Sequence, residues 1–208
     1  MAHSRAVKQL LALGAIAGPF YVGVALLQMA IREGFDIRRH PLSLMSNGEL
    51  GWIQIANFLI TGALVVTGAA GVKQAVRSGR GRTWAPIMLG LYGIGLIGAG
   101  IFRADPALGF PPGTPATNNT ISTHGILHFV FGAIGFAGLI ASCLIFARRF
   151  NDLGQRGWSM FSLATGLLFL AAFMGIASGA QGLVVPFALA VVLSFAWLSV
   201  LLTKIGNE

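Results

Sequence analysis

GWSMFSLATGLLFLAAFMGIASGAQGLVVPFALAVVLSFAWLSVLLT, residues 157–203, runs for 47 positions without a Lys, Arg, Asp or Glu. A helix rising about 1.5 Å per residue crosses a hydrocarbon core about 30 Å thick in roughly 20 residues. The run is too long for one span and long enough for two, with Gly179 to Pro186 as the natural break. Outward from it, uncharged runs of 23, 23 and 20 residues cover Gln9–Ile31, Leu50–Val72 and Thr83–Phe102. A 42-residue run, Pro106–Ala147, opens with Pro106, Pro111, Pro112, Pro115 and the polar stretch Thr117–Thr120, so it reads as a loop followed by one span. We expect an all-α membrane protein, one domain over residues 1–208. Its six transmembrane helices should lie at about 8–31, 47–73, 85–103, 123–147, 157–178 and 184–204.

Composition agrees. Of 208 residues, 55% are hydrophobic and 10% charged, with a mean hydropathy of +0.78. A soluble domain carries about a quarter charged residues, so a water-soluble fold is excluded. One cysteine, Cys143, rules out an internal disulfide and a cysteine metal cluster. With the N-terminus inside, the inner segments hold ten bases: Arg5, Lys8, Lys73, Arg77, Arg80, Arg82, Arg148, Arg149, Arg156 and Lys204. The outer segments hold four, Arg32, Arg38, Arg39 and Arg103. That bias predicts cytoplasmic termini. Insertion topology and anionic headgroups account for the +8 charge. We therefore expect membrane lipids as partners and no nucleic acid.

Local signals refine the spans. Ser46 and Glu49 form an S-x-x-E capping box before the second helix, with Met45 and Leu50 as its staple. Ser122 or Thr123 can cap the fourth. Ala15-Ile16-Ala17 is like a signal cleavage site, but the apolar run continues past it and reads as an anchor. The sequon Asn118-Asn119-Thr120 would matter only in a eukaryotic secretory route. Trp52, Trp84 and Trp158 stand at helix starts, where interfacial aromatics belong. The pairs Gly14/Gly18 and Gly175/Gly179 read as close packing inside the bundle rather than between copies. Oligomeric state is left open.

Candidate chemistry gathers on the outer side. The connections Arg32–Gly51 and Ala104–Thr123 are both about 20 residues long, and loops of that length often act as lids or binding elements. His124 and His128, four residues apart, share a helix face and can place two imidazoles on one zinc ion. His40 is the candidate third ligand. Asp105 is a fourth ligand or a partner fixing a histidine tautomer, and Ser43 can stabilise an oxyanion. Arg103 can clamp an anionic headgroup or phosphate. A hydrogen-bonded structural role for the histidine pair is the competing reading.

The stretches Gly34-Phe35-Asp36 through His40-Pro41-Leu42-Ser43, Gly51-Trp52, Gly100-Ile101-Phe102-Arg103-Ala104-Asp105-Pro106 and His124-Gly125-Ile126-Leu127-His128 resemble the family known as domain of unknown function 998. The resemblance covers nearly the whole chain. It implies a six-helix inner-membrane protein of a bacterium or archaeon, and it supplies no activity. The inventory His40, Ser43, Asp105, His124 and His128 is also similar to the zinc site of alkaline ceramidases and adiponectin receptors. Those proteins have seven spans and place H-x-x-x-H on the last.

Two functions follow as expectations. One is a zinc-dependent hydrolase of lipid amide or ester bonds at the outer leaflet, facing the periplasm or the cell exterior. There His40, His124 and His128 hold the metal, Asp105 handles a proton and Ser43 stabilises the oxyanion. The other is a lipid or small-molecule binding or transport protein. A haem or quinone role ranks third, because one histidine pair at one face makes no path across the membrane.

Overall fold

The computed structural model describes residues 3–117, 121–179 and 182–208. The sequon Asn118-Asn119-Thr120, and Ala180 and Gln181 of the break between the last two spans, lie outside the described residues. Six helices are long and apolar enough to cross a membrane: α1 (Arg5–Ile31), α2 (Gly51–Ala75), α3 (Trp84–Ile101), α4 (Thr123–Asp152), α5 (Arg156–Ala177) and α6 (Val184–Asn207). No β-strand occurs among the described residues. In hydrocarbon every backbone donor and acceptor must be met internally, which a helix does within its own segment.

Helices adjacent in the chain pack side by side, and α1 also packs on α6, closing the ring. Burial is uneven. Over its most apolar stretch α3 is 56% buried and α5 only 22%, so α3 is an inner helix and α5 mostly faces lipid. From α6, Phe195 stacks on Tyr21 of α1, with centroids 4.5 Å apart, and approaches Tyr92 of α3. Trp197, fully buried, donates its indole N–H to the Ser162 hydroxyl of α5 at 3.0 Å. A buried indole needs such a partner.

The first glycine pair works within the chain. A Cβ on Gly14 would lie 2.5 Å from the Gly68 Cα of α2, and one on Gly18 would lie 2.5 Å from the Ser199 hydroxyl of α6. Consecutive turns of α1 thus admit two different neighbours. With no hydrophobic drive between helices in lipid, such close approach supplies much of the association.

The helix starts differ from one another. Ser122 caps α4 as expected, its Oγ accepting the Gly125 N–H. The capping box at Ser46 and Glu49 does not form. Residues Leu42–Ser46 make a 3-10 turn, the Ser46 hydroxyl donates to the Ser43 carbonyl at 2.8 Å, and α2 begins only at Gly51. Arg32 explains the difference. Its guanidinium donates to the carbonyls of Met45 and Asn47, holding this segment as a turn where the local signal alone favours a helix.

Gly14→Val should destabilise the detergent-purified protein by roughly 2 kcal/mol through overpacking, read as a lower unfolding midpoint. Gly23→Ala should be neutral, because a Cβ there meets nothing within 4 Å.

Candidate functional site

The two long connections lie at the end of the bundle opposite the chain termini and are tied together into a cap. Arg32, at the C-terminus of α1, is buried; Nη1 donates to the Met45 carbonyl at 2.8 Å, Nη2 to that of Asn47, and the cation lies 5.2 Å from the Phe110 ring centroid. Asn47 in turn donates from Nδ2 to the Ala104 carbonyl at 3.0 Å. His40 is 3% exposed, between Phe35 and Phe110. Its Nδ1 accepts the Asp36 N–H at 3.0 Å, which places the proton on Nε2, and Nε2–H donates to the Leu108 carbonyl at 3.0 Å. Leu108 has a positive φ of 58°. One imidazole thus joins the first connection to the second, with both ring nitrogens committed. Beside it, Asp36 pairs with Arg38, whose hydrogen bonds hold the carboxyl down to about 2.

A second constellation joins the end of α3 to the start of α4. Asp105 accepts the Ser122 N–H at 2.8 Å through Oδ2 and the Ser122 hydroxyl at 2.5 Å through Oδ1. A carboxylate there also meets the positive end of the helix dipole. It comes so close that a Cβ on Gly125 would lie 2.1 Å from Oδ2, so any side chain at 125 would push the Asp105 carboxylate away from Ser122. In the other direction, His128 of α4 donates from Nδ1 to the carbonyls of Phe102 at 2.8 Å and Ala99 at 3.1 Å. Those are carbonyls of the last turn of α3, which have no partner within their own helix. His124 is exposed, its ring 5.7 Å from that of Phe102.

The candidate residues therefore fall into two sets. Asp105, His124 and His128 sit at the α3–α4 junction; His40 and Ser43 belong to the cap turn. Arg103 is exposed, with no ion pair or hydrogen bond among the described residues. Among those residues no group of three or more His, Cys, Asp or Glu side chains is placed to hold a metal ion. As arranged, this donor set does not fit zinc. The only lone pair on the His40 ring is taken by the Asp36 N–H; His128, with Nδ1–H on carbonyls, keeps its Nε2 lone pair, but no set of three such ligands converges on it among the described residues.

Sequence reasoning missed a polar column inside the bundle. Gln54, Asn57 and Thr61 share one face of α2 and meet Gln28 of α1, all four essentially unexposed. Gln28 Nε2 donates to Gln54 Oε1 at 2.7 Å, and Asn57 Nδ2 donates to the Tyr21 carbonyl at 3.2 Å. The 54/57/61 spacing was readable as a polar stripe in an apolar span; what it faced was not. Two atoms of this cluster, Gln28 Oε1 and Gln54 Nε2, are buried without a well-formed hydrogen bond among the described residues. The Tyr21 hydroxyl lies beside the Gln54 carboxamide. Tyr21 also forms the inner wall of an apolar crevice of about 160 Å³ between α1 and α6, lined on its lipid side by Leu26, Leu189 and Val192 and roofed by Ile37 and Leu42 of the cap.

A family model described as "Protein of unknown function (DUF998)" matches residues 15–204. No curated protein and no solved structure matches the chain.

His40→Ala should cost roughly 2 kcal/mol, the loss of two partly buried hydrogen bonds, seen as faster amide exchange in residues 104–117 with the helices unchanged. Acid should loosen the same cap. The Asp36 carboxyl, pulled from 3.8 to about 2, contributes stability that is complete above its unfolded value and lost as pH falls through about 2. Asp36→Asn should abolish that step in a pH titration of exchange.

Proposed function

We propose that this chain, which belongs to the family described as protein of unknown function (DUF998), binds an amphipathic, lipid-like molecule that enters from the bilayer between α1 and α6. The observation that carries this reading is the pairing of two features. One is an apolar crevice open to the hydrocarbon. The other, beyond its Tyr21 wall, is a pair of buried carboxamide atoms, Gln28 Oε1 and Gln54 Nε2, with no well-formed hydrogen bond among the described residues. A buried polar group left unpaired costs about 1–3 kcal/mol, and such groups call for an explanation by a ligand or an ordered water. A ligand with one chain along Leu26 and Leu189 fills the crevice, and its polar end meets the carboxamides of Gln28 and Gln54 when the Tyr21 ring swings aside. Gln28, Gln54 and Asn57 already bond α1 to α2, as neutral polar groups in spans do, and their leftover atoms, being neutral, suit a hydroxyl, carbonyl or quinone oxygen rather than an ion.

A zinc-dependent hydrolase at the cap draws less support. His40 would have to give up the Asp36 N–H before offering its Nδ1 lone pair to a metal, and no three such ligands converge among the described residues. Asp105 and Ser122 would likewise have to part before Asp105 could handle a proton.

Native mass spectrometry of the protein in mild detergent tests the proposal. Wild type should retain about one amphipathic molecule per chain after delipidation, and Ala188→Trp, which fills the crevice, should lose it. Absence of any retained molecule from wild type, or equal retention by both, would overturn the reading. The pair Gln28→Leu with Gln54→Met should raise stability by roughly 1 kcal/mol while weakening retention; a fall in stability would mark the carboxamides as purely structural.

A further inference from the structure

The end of the bundle that carries both termini also carries ten of the fourteen basic residues. Most need no special account, since positive charge collects at one membrane face through insertion topology. One group of them is arranged around a cavity of about 530 Å³.

Three elements build it. Leu144, Arg148 and Asn151 come from one face of α4, at the spacings of three and four that align side chains on a helix. Leu163 comes from the facing side of α5, and Arg80 from the connection between α2 and α3. That connection is held in place by Arg149, whose Nη1 donates to the carbonyls of Ser78 and Arg80, both at 2.9 Å. The first turn of α5 adjoins the cavity, so the positive end of that helix offsets the negative end of α4.

The charges divide unequally. Asp152 is neutralised by Arg80 at 2.8 Å. Arg149 does not line the cavity and turns its guanidinium to the Ser78 and Arg80 carbonyls. Arg148 is exposed and has no carboxylate or carbonyl partner among the described residues. The cavity therefore holds one uncompensated guanidinium, a planar fork of donors suited to a phosphate, with a neutral carboxamide beside it. Its other walls, Leu144 and Leu163, are apolar, and Leu163 is 43% exposed on the lipid-facing helix.

We propose that this cavity binds the headgroup of an anionic phospholipid, with the phosphodiester on Arg148 and Asn151 and the first acyl carbons against Leu144 and Leu163. A net single positive charge suits a phosphodiester monoanion. A free phosphate dianion would need more donors and would gain nothing from the leucines. Basic pockets between helices at the positively charged face are where such headgroups are held.

The test is a titration of the full-length, detergent-purified chain, following its unfolding midpoint. The additions are dioleoylphosphatidylglycerol, dioleoylphosphatidylcholine or inorganic phosphate. Phosphatidylglycerol should stabilise more than phosphatidylcholine, and inorganic phosphate should not. Arg148→Gln should weaken the apparent affinity for phosphatidylglycerol about fivefold, the effect of one basic residue at a membrane surface, and change the response to phosphatidylcholine less, because its choline already offsets the phosphodiester. Arg148→Lys should keep most of the preference. Asp152→Asn, by releasing Arg80, should tighten it. Position 148 is exposed, so these variants keep the fold, which circular dichroism checks. Equal stabilisation by the two lipids, or full preference in Arg148→Gln, overturns the proposal. Inorganic phosphate matching phosphatidylglycerol would overturn it in favour of a soluble anion.

Discussion

An amide or carbonyl left bare in hydrocarbon costs several kcal/mol, and in a helical bundle that cost falls at helix ends. The cap end of this protein is organised around meeting it. The last carbonyls of α3 receive the His128 ring N–H. The first N–H groups of α4 are met by Ser122 and Asp105. The carbonyls of the turn before α2 receive Arg32. The bonds of His128, Asp105 and Arg32 cross between elements, tying α3 to α4 and α1 to the turn that precedes α2, while Ser122 caps α4 locally.

Imidazole, carboxylate and hydroxyl groups cap helices for the reason they serve in hydrolases: they donate and accept hydrogen bonds in fixed directions. A list of such residues at one membrane face therefore fits two readings. What separates them is whether any lone pair or proton remains uncommitted. At His40 and Asp105 the polar atoms are engaged with backbone or with Ser122. Gln28 Oε1 and Gln54 Nε2, and the Arg148 guanidinium at the opposite end, are left over. Among the described residues His128 Nε2, His124 and Arg103 also remain uncommitted at the cap, but no three metal ligands converge there, so attention moves to the interior of the bundle and to its basic face.

Rigid and adaptable regions divide accordingly. The cap joins distant segments through His40 to Leu108 and Asn47 to Ala104, so it acts as a fixed roof over the α1–α6 crevice through Ile37 and Leu42. Gly14 and Gly18 press α1 against α2 and α6, placing Tyr21 between the crevice and the polar column.

Six apolar spans, their order and their antiparallel connection are properties of the chain alone, because hydrophobicity and charge act residue by residue and a helix satisfies its own backbone. Ser122 as a cap was legible for the same local reason. The roles of His40, Asp105 and His128 were not. Each is set by a partner far along the chain or on another helix: Leu108 for His40, Ser122 for Asp105, Ala99 and Phe102 for His128. The misread start of α2 has the same origin, since Arg32 reaches Met45 from 13 residues away and overrides the local signal. The residue types determined that a polar group would need a partner; only the tertiary structure decided which one it found and which were left without.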